Sequence, residues 1–335
     1  KFTLTKPDAT LISQLSDRAG MMISPTAAAE KGLDLAGSPV CSGPYKFVDR
    51  VAQDRITLEK FAEHYDAANY HFDRLIFVPI PDTTVRLANL QSGDLDMIER
   101  LAPSDVAAVK ADNRLAYADA VSLGYQGITV NLNNGPRSET PFGKDKRVRQ
   151  ALSLSLDREV INQVVFEGVY AAGNQHVAPT SPWYDTSQPV QARDVDKAKA
   201  LLKEAGLDRI AIEIQVANNP VQLQLMQVVQ SMAAEAGFDI SIKATEFASM
   251  LQEQTAGNYD ATQVGWSGRT DPDGNIHAFV TCEGGLNDSK FCSAEVDRLL
   301  NAARTSTDPV VRKLSDMEAQ KIVGVELPII YLSLQ

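Results

Sequence analysis

One short segment carries the residue types that could act as a nucleophile. Gly265-Trp266-Ser267-Gly268-Arg269 begins like the G-x-S-x-G turn that exposes a catalytic serine in hydrolases. That turn needs a second glycine where this chain has Arg269, and the sequence behind Ser267 does not predict the required helix. We therefore name no catalytic residue and expect no enzymatic activity. A hydrolase that uses Ser267 is the enzyme alternative.

The acidic segment Asp271-Pro272-Asp273-Gly274-Asn275 partly matches a calcium-binding loop. Such a loop has glycine at its sixth position and glutamate at its twelfth, whereas here the glycine is fourth and Cys282 is twelfth. Four histidines are scattered along the chain without a metal-binding spacing: His64, His71, His176 and His277. Nucleotide-binding glycine motifs are also absent from the sequence. We therefore predict no metal and no cofactor.

Two of the three cysteines, Cys282 and Cys292, lie ten residues apart around a polar, glycine-rich stretch. A loop of this kind brings two thiols within disulfide range. We expect a Cys282–Cys292 disulfide, with two free thiols as the alternative. Cys41 is then left over, and we expect it to be buried and reduced.

Composition excludes several classes of protein. The chain has 335 residues, 32 Lys and Arg against 43 Asp and Glu, and a net charge of −11. The length suggests two domains, and the 44% hydrophobic content is typical of a globular protein. The negative charge argues against a nucleic-acid partner and against an anionic membrane surface. No apolar run approaches the ~20 residues that a membrane-spanning helix needs.

The first part of the chain predicts strands around a helix. The helix begins after Asp82, whose side chain can cap it, and ends at Gly93. The predicted strands are Tyr45–Val48, Ile56–Glu59, Leu75–Ile80 and, after the helix, Leu95–Ile98. Strand–helix–strand order is typical of an α/β fold.

The second part contains the clearest structural pattern. Apolar residues alternate over 210–216 and again over 238–244, and Asn219-Pro220 between them is a favourable helix start. This β-α-β order implies two parallel strands with a right-handed crossover. An extended run at 124–131 precedes this region, and we place a domain crossing there.

Several motifs, taken in order, resemble those of the family 5 extracellular solute-binding proteins, which bind dipeptides, oligopeptides or nickel for ABC importers. Ser42-Gly43-Pro44-Tyr45-Lys46-Phe47 resembles the family's TGPYKF turn. Further matches are Leu90–Asp96, Pro141-Phe142, Asp145–Ser153, Asp157–Glu159, Ser181–Tyr184, Lys197–Gly206 and Gly265–Gly268 with Asp271–Asp273. Each match alone is weak, but their order and spacing extend over nearly the whole chain.

The resemblance implies an α/β periplasmic-binding-protein fold of type II, with two lobes around a cleft. We expect residues 1–124 to belong to lobe I and residues 125–335 to form the second ligand-binding lobe. Because family members are longer, we expect this chain to be a fragment that lacks the N-terminal part and the C-terminal end.

The implied function is capture of a small polar solute, peptide-like or anionic, by lobe closure. The expected partners are that solute and the permease subunits of an ABC transporter. The expected location is the periplasm or the outer surface of the cell, without a membrane span. A ligand-sensing module that uses the same fold without transport is the alternative.

The resemblance also indicates ligand-binding residues. In peptide-binding relatives an aspartate after the GW-S/T-G motif pairs with the peptide's ammonium group, whereas this chain has Arg269. A guanidinium binds carboxylates instead, so we expect an anionic or polyhydroxylated ligand group there. The alternative is that Arg269 pairs with Asp271 or Asp273 to brace the loop. The predicted ligand-binding residues are Trp266, Ser267, Gly268, Arg269, Asp271, Tyr125 and Gln126.

Three of these residues have a packing alternative. Trp266 either stacks on a ligand or fills the hinge between the lobes. Tyr125 and Gln126 lie in the strand that the resemblance places along the cleft, and packing at the hinge is equally compatible with their positions.

Overall fold

The structure, a computed structural model, describes residues 2–120 and 122–334. These residues form two compact units: Leu11–Asp96, and a second unit made of residues 2–10 and 97–334. The predicted lobe ranges are 1–124 and 125–335, and their outer ends, positions 1 and 335, lie outside the described residues. That division of the whole protein into lobes stays a prediction.

The unit Leu11–Asp96 contains a three-stranded antiparallel sheet in the order β1-β2-β3. Its elements are α1 (Leu11–Leu15), α2 (Pro25–Lys31), β1 (Tyr45–Val51), β2 (Arg55–Lys60), β3 (Arg74–Phe77) and α3 (Thr83–Ser92). The predicted ends of α3 are confirmed. Asp82 accepts hydrogen bonds from the backbone N–H groups of Thr84 and Val85, and Gly93 ends the helix in the left-handed conformation.

The predicted strand Leu95–Ile98 is wrong, because this segment is irregular. The backbone N–H of Leu95 donates to the carbonyl oxygen of Asn89 at 3.0 Å, a bond that completes the end of α3. The side chain of Met97 is 83% exposed. Three apolar residues among four therefore predicted a strand where the chain instead completes the end of a helix.

The second unit is built on a six-stranded mixed sheet. Its strands are β4 (Tyr125–Val130), β5 (Ala171–Ala172), β6 (Ile210–Ala217), β7 (Phe238–Thr245), β8 (Ala261–Trp266) and β9 (Ile329–Leu334). Its helices are α4 (Val106–Ala111), α5 (Pro141–Lys144), α6 (Lys146–Leu154), α7 (Arg158–Phe166), α8 (Val195–Glu204), α9 (Pro220–Ala234), α10 (Phe247–Thr255), α11 (Asp273–Val280), α12 (Ala294–Thr305) and α13 (Pro309–Glu326).

The strand order in this sheet is β5-β9-β4-β8-β6-β7. β6 pairs in parallel with both β7 and β8, whereas β4 pairs antiparallel with β8 and β9. The β6-α9-β7 unit confirms the predicted β-α-β pattern, including the cap that Asn219 provides to α9. The apolar alternation in β6 and β7 therefore predicted the parallel part of the sheet correctly.

Side chains alternate between the two faces of the sheet and enter separate apolar clusters. Ile128 and Val130 of β4 belong to the larger cluster, together with residues of α6, α7, α8 and α9. Tyr125 of the same strand belongs to a smaller cluster on the opposite face, with Tyr331 and the partly buried Trp266. A third cluster joins α11, α12 and α13. Within the described residues, no helix has both the length and the apolar character to cross a bilayer.

The expected Cys282–Cys292 disulfide is confirmed. The loop that it closes is also held by Asn287, whose side-chain nitrogen donates to the carbonyl oxygens of Thr281 and Phe291. Cys41 is a free thiol and it is exposed, so the expectation that it would be buried is wrong. It lies in a short isolated bridge with Ile23, at the surface of its unit.

Replacing Cys282 and Cys292 together with serine is expected to lower the free energy of unfolding by about 2–3 kcal/mol, because the bridge restricts the unfolded chain. Cys41→Ser is the matched control and should change it by no more than about 0.5 kcal/mol, since that thiol is exposed. Urea denaturation measures both. Unfolded, non-reduced protein should titrate with one thiol, and three free thiols would contradict the bridge.

Candidate functional site

The pairing of β4 with β8 brings two parts of the predicted site together. Tyr125 lies opposite Trp266, and Gln126 lies opposite Gly265. Because neighbouring residues of a strand point to opposite faces, Tyr125 and Trp266 share one face of the sheet and Gln126 lies on the other. The remaining predicted residues follow Trp266 in the loop that joins β8 to α11.

Gly268 makes the turn in this loop, which we call the β8–α11 loop (residues 267–272). Its φ of +77° is a left-handed conformation, and a Cβ at this position would lie 2.2 Å from the carbonyl carbon of Leu123. Only glycine satisfies both the backbone angle and this close approach. The prediction that Gly268 belongs to the site therefore has a backbone explanation that needs no ligand.

Asn275, at the start of α11, anchors the β8–α11 loop. Its Oδ1 accepts hydrogen bonds from Trp266 Nε1 at 3.0 Å and from the backbone N–H of Arg269 at 2.7 Å. Its Nδ2 donates to the carbonyl oxygen of Arg269 at 3.0 Å. Asn275 is 2% exposed, so one buried amide fixes the indole orientation and both backbone polar groups of Arg269.

The guanidinium of Arg269 lies over the Trp266 ring, 4.3 Å from the ring centroid. It also donates to the carbonyl oxygen of Gly268 at 2.6 Å and to Ser267 Oγ at 3.2 Å. Attraction between a cation and the face of an indole holds such a stack at a partly exposed site. The loop therefore presents a positive charge and an aromatic ring as one unit.

The two aspartates of the following segment are bound by arginines from distant helices. Arg312 of α13 donates to both carboxylate oxygens of Asp271, at 2.7 and 2.8 Å. Arg304 of α12 likewise makes two hydrogen bonds to Asp273, at 3.0 and 2.7 Å. The carboxylates of Asp271 and Asp273 therefore brace this segment through Arg312 and Arg304.

Ser267 is exposed, and among the described residues the side-chain hydrogen bond of its Oγ comes from Arg269. A nucleophilic serine needs a general base within hydrogen-bond distance. The closest histidine in sequence, His277, has its Nε2 at 3.2 Å from Asn301 Oδ1. Within the described part of the chain, no group of three His, Cys, Asp or Glu side chains could hold a metal ion.

Tyr125 is enclosed in an aromatic cluster that also contains Trp266, Phe279 and Tyr331. Its ring meets that of Tyr331 edge-on, with centroids 4.9 Å apart, and Phe279 meets Trp266 in the same way at 4.9 Å. Only 3% of Tyr125 is exposed, and burial raises the pKa of its hydroxyl well above the usual value. This geometry agrees with the packing alternative for Tyr125.

Gln126 lies beneath Gly265 on the opposite face of the sheet. It is 7% exposed, and its Oε1 accepts a hydrogen bond from Gln263 Nε2 at 2.8 Å. A Cβ at position 265 would lie 2.6 Å from Gln126 Nε2. The glycine of the GW motif is therefore required for the buried glutamine pair.

Sequence reasoning missed the residues that hold the loop in place: Asn275, Arg304, Arg312 and Gln263. Asn275 was part of the segment tested as a calcium loop, but neither its position nor its spacing indicates three hydrogen bonds to the β8–α11 loop. The arginines lie 31 and 41 residues from the aspartates that they bind. Without homologous sequences, such long-range pairs give no local signal.

A second buried polar cluster joins His176 to α13. His176 is 1% exposed; its Nε2 lies 3.2 Å from Asp316 Oδ2, and its Nδ1 lies 2.9 Å from Gln320 Oε1. Burial alone would lower the pKa of His176. The Asp316 carboxylate and the bond to Gln320 outweigh burial, so the pKa lies above its usual 6.5.

Comparison with known proteins identifies the class to which this chain belongs. The model of the family described as "Bacterial extracellular solute-binding proteins, family 5 Middle" matches residues 1–287. The chain belongs to this family of solute-binding proteins, as its motifs predict. It is 26% identical to the dipeptide-binding protein of Escherichia coli, over 99% of this chain and 64% of that protein. It is 28% identical to di/tripeptide-binding protein 1 of Pseudomonas aeruginosa, over 98% and 63%.

A solved structure confirms the fold. The dipeptide binding protein from Pseudoalteromonas sp. SM9913 in complex with Met-Leu superimposes with a TM-score of 0.88 at 21% identity, covering 99% of this chain and 67% of that one. The predicted α/β periplasmic-binding-protein fold of type II is thereby confirmed. This chain spans less than two thirds of the length of the curated relatives above.

Replacing Asn275 with alanine is expected to release the β8–α11 loop, because the indole N–H and both backbone groups of Arg269 lose their partner. The free energy of unfolding should fall by about 1–3 kcal/mol. In a Trp183→Phe background, the emission of Trp266 should shift to longer wavelength. Asn69→Ala, at an exposed position, is the control. Unchanged emission and stability in Asn275→Ala would show that the amide is not an anchor.

The raised pKa of His176 gives a pH dependence of known sign. The protonated imidazole is stabilised in the folded state, so its contribution is fully present below about pH 6.5 and is lost as the pH rises through the raised pKa. His176→Gln should therefore flatten the fall in unfolding free energy over this range. His71→Gln, at an exposed site, should show the same fall in unfolding free energy as the wild type. Equal pH profiles for wild type and His176→Gln would contradict the pairing with Asp316.

Proposed function

We propose that the whole protein is the substrate-binding component of an ABC importer. It captures a small polar solute by closure of two lobes and delivers the solute to the permease subunits in the membrane. It works outside the cytoplasmic membrane, in the periplasm or attached to the cell surface. Membership of the solute-binding family supports this proposal, and no observation favours the sensing alternative or an enzyme.

The observation that carries the proposal is the Arg269–Trp266 stack in the β8–α11 loop. The guanidinium can bind a carboxylate through two hydrogen bonds, and the indole offers a flat apolar face beside it. Asn275 already fixes the loop, so little freedom is lost when a ligand binds there. We propose Trp266 and Arg269 as the principal ligand contacts, with Ser267 and Gly268 beside them.

The other three predicted residues act through these contacts. Asp271 holds the end of the loop through its ion pair with Arg312. Tyr125 supports Trp266 through the aromatic cluster, and Gln126 fills the space under Gly265. We therefore propose a supporting role for all three instead of direct contact with the solute.

The positive charge of Arg269 indicates the class of solute. The relatives described above are named for binding dipeptides and tripeptides, and a peptide offers a carboxylate at its C-terminus. We propose that Arg269 binds this carboxylate, so that the C-terminus of the peptide is the recognised end.

Calorimetric titration of the whole protein with Met-Leu and with its C-terminal amide tests this proposal. Loss of the carboxylate should weaken binding about ten- to hundredfold, the effect expected for a hydrogen bond to a charged group. Arg269→Ala should weaken binding of the acid by a similar factor and leave binding of the amide nearly unchanged.

Arg209→Ala is the matched control, because Arg209 is an exposed arginine that pairs with Asp239 on β7. It should bind both ligands as the wild type does. Equal affinity of the wild type for acid and amide would refute recognition of the carboxylate. Failure of a di- and tripeptide panel to bind at all would refute the peptide class.

A further inference from the structure

A cavity of about 590 Å³ lies within the second unit, away from the β8–α11 loop. It opens between α6, α8, the C-terminal half of α13 and the loop 173–193. β5 pairs with Ser333 and Leu334 of β9, and Tyr331 of the same strand lines the cavity. The volume falls in the range of sites that enclose small organic molecules. None of the predicted site residues lines it.

The wall of this cavity differs in charge from the rest of the protein. The chain carries 43 acidic and 32 basic residues, yet no Asp or Glu is among the described residues that line the cavity. Arg158 and Lys197 line it, and most of the other polar side chains there are amides or hydroxyls. The side chains that line the cavity therefore contribute two positive charges and no negative one to its potential.

Gln320 places a hydrogen-bond donor at the cavity. Gln320 is 3% exposed, and its Oε1 lies within hydrogen-bond distance of His176 Nδ1, at 2.9 Å. The amide is thereby oriented, and among the described residues its Nε2 has no hydrogen-bond partner. A Cβ at Gly324, another lining residue, would lie 3.9 Å from Nε2. Nε2 is not one of the enclosed polar atoms that lack a partner, so it is open to the cavity, where an acceptor from outside the protein can bind it.

The two cations have different roles in this wall. Arg158 is 4% exposed, and its guanidinium donates to the carbonyl oxygen of Tyr331 at 2.8 Å and to Ser153. Its hydrogen bonds are used within the protein, but its charge still contributes to the potential. Lys197 is exposed at the rim and has no ion-pair partner within the described residues.

We propose that this cavity is a second binding site, for a small organic anion, with Gln320 Nε2 as the donor to its carboxylate and Lys197 as the cation at the rim. The amide and hydroxyl groups of the wall suit hydroxyl groups on the rest of such a ligand. This site is separate from the solute site proposed above and does not depend on it.

Gluconate and sorbitol are a suitable pair of probes, since they share a polyhydroxylated chain and differ in the carboxylate. Titration of the whole protein, followed by calorimetry or by NMR of the ligand, should show gluconate binding in the millimolar range or tighter. Sorbitol should bind clearly more weakly. Equal binding of the two probes, or no binding of gluconate, would overturn the proposal.

Gly324→Leu tests the location, because a side chain at this position extends from a Cβ beside Gln320 Nε2 into the cavity. Leucine is also a better helix former than glycine, so α13 should remain folded, as thermal denaturation would verify. This variant should lose gluconate binding by more than about tenfold, a difference of about 1.4 kcal/mol.

Lys197→Gln should weaken gluconate binding about two- to fivefold, as expected for an exposed ion pair. Lys199→Gln is the matched control, two residues along the same helix at an exposed position that does not line the cavity. Arg269→Ala should leave gluconate binding intact. If Arg269→Ala abolishes it while Gly324→Leu does not, gluconate binds at the β8–α11 loop and the second site is refuted.

Discussion

The antiparallel register of β4 on β8 is the constraint on which the site depends, because it sets Tyr125 opposite Trp266 at the ends of both strands. A shift of one residue would place the two aromatic rings on opposite faces of the sheet. The register is secured from each side: Ile128 and Val130 enter the larger apolar cluster, while Tyr125 enters the aromatic one. Trp266 is thus delivered to the β8–α11 loop in a fixed orientation.

The charged groups around this loop are held in different ways. Asp271 and Asp273 are each bound by an arginine from α12 or α13. These pairs tie the loop to the two helices and neutralise its carboxylates where they are largely buried. Arg269 stacks on Trp266 instead, at the partly exposed end of the loop.

Buried polar groups in the second unit follow a related rule. Arg149 and Arg158 direct their guanidinium groups at backbone carbonyl oxygens, and burial lowers the pKa of each to about 10. His176 is buried with a carboxylate beside it. The two guanidinium groups are thus satisfied by backbone oxygens of the protein. Gln320, by contrast, lines the cavity beside α13.

Features with a local physical cause could be predicted from the sequence. The ends of α3 follow from Asp82 and Gly93, and the β6-α9-β7 unit follows from alternating apolar residues around a capped helix. The disulfide followed from the spacing of Cys282 and Cys292, and the family followed from motifs in order along the chain. The false strand at Leu95–Ile98 shows the limit, because apolar residues at a helix end look the same as a short strand.

The anchors of the site could not be predicted, since each depends on where distant elements meet. Asn275 binds two residues of a loop whose path is set by the close approach of Gly268 to Leu123. Arg304 and Arg312 reach the loop only after α12 and α13 have packed on α11. Long-range packing, and not local propensity, therefore turns a GWSG-R sequence into a rigid cation and aromatic surface.

The most direct test of the account is an experimental structure of the whole protein, purified from its native host, with the solute that remains bound to it. We expect the solute's carboxylate within hydrogen-bond distance of the Arg269 guanidinium, with an apolar part of the solute against the Trp266 ring. A solute bound elsewhere, with neither Arg269 nor Trp266 in contact with it, would contradict the central claim.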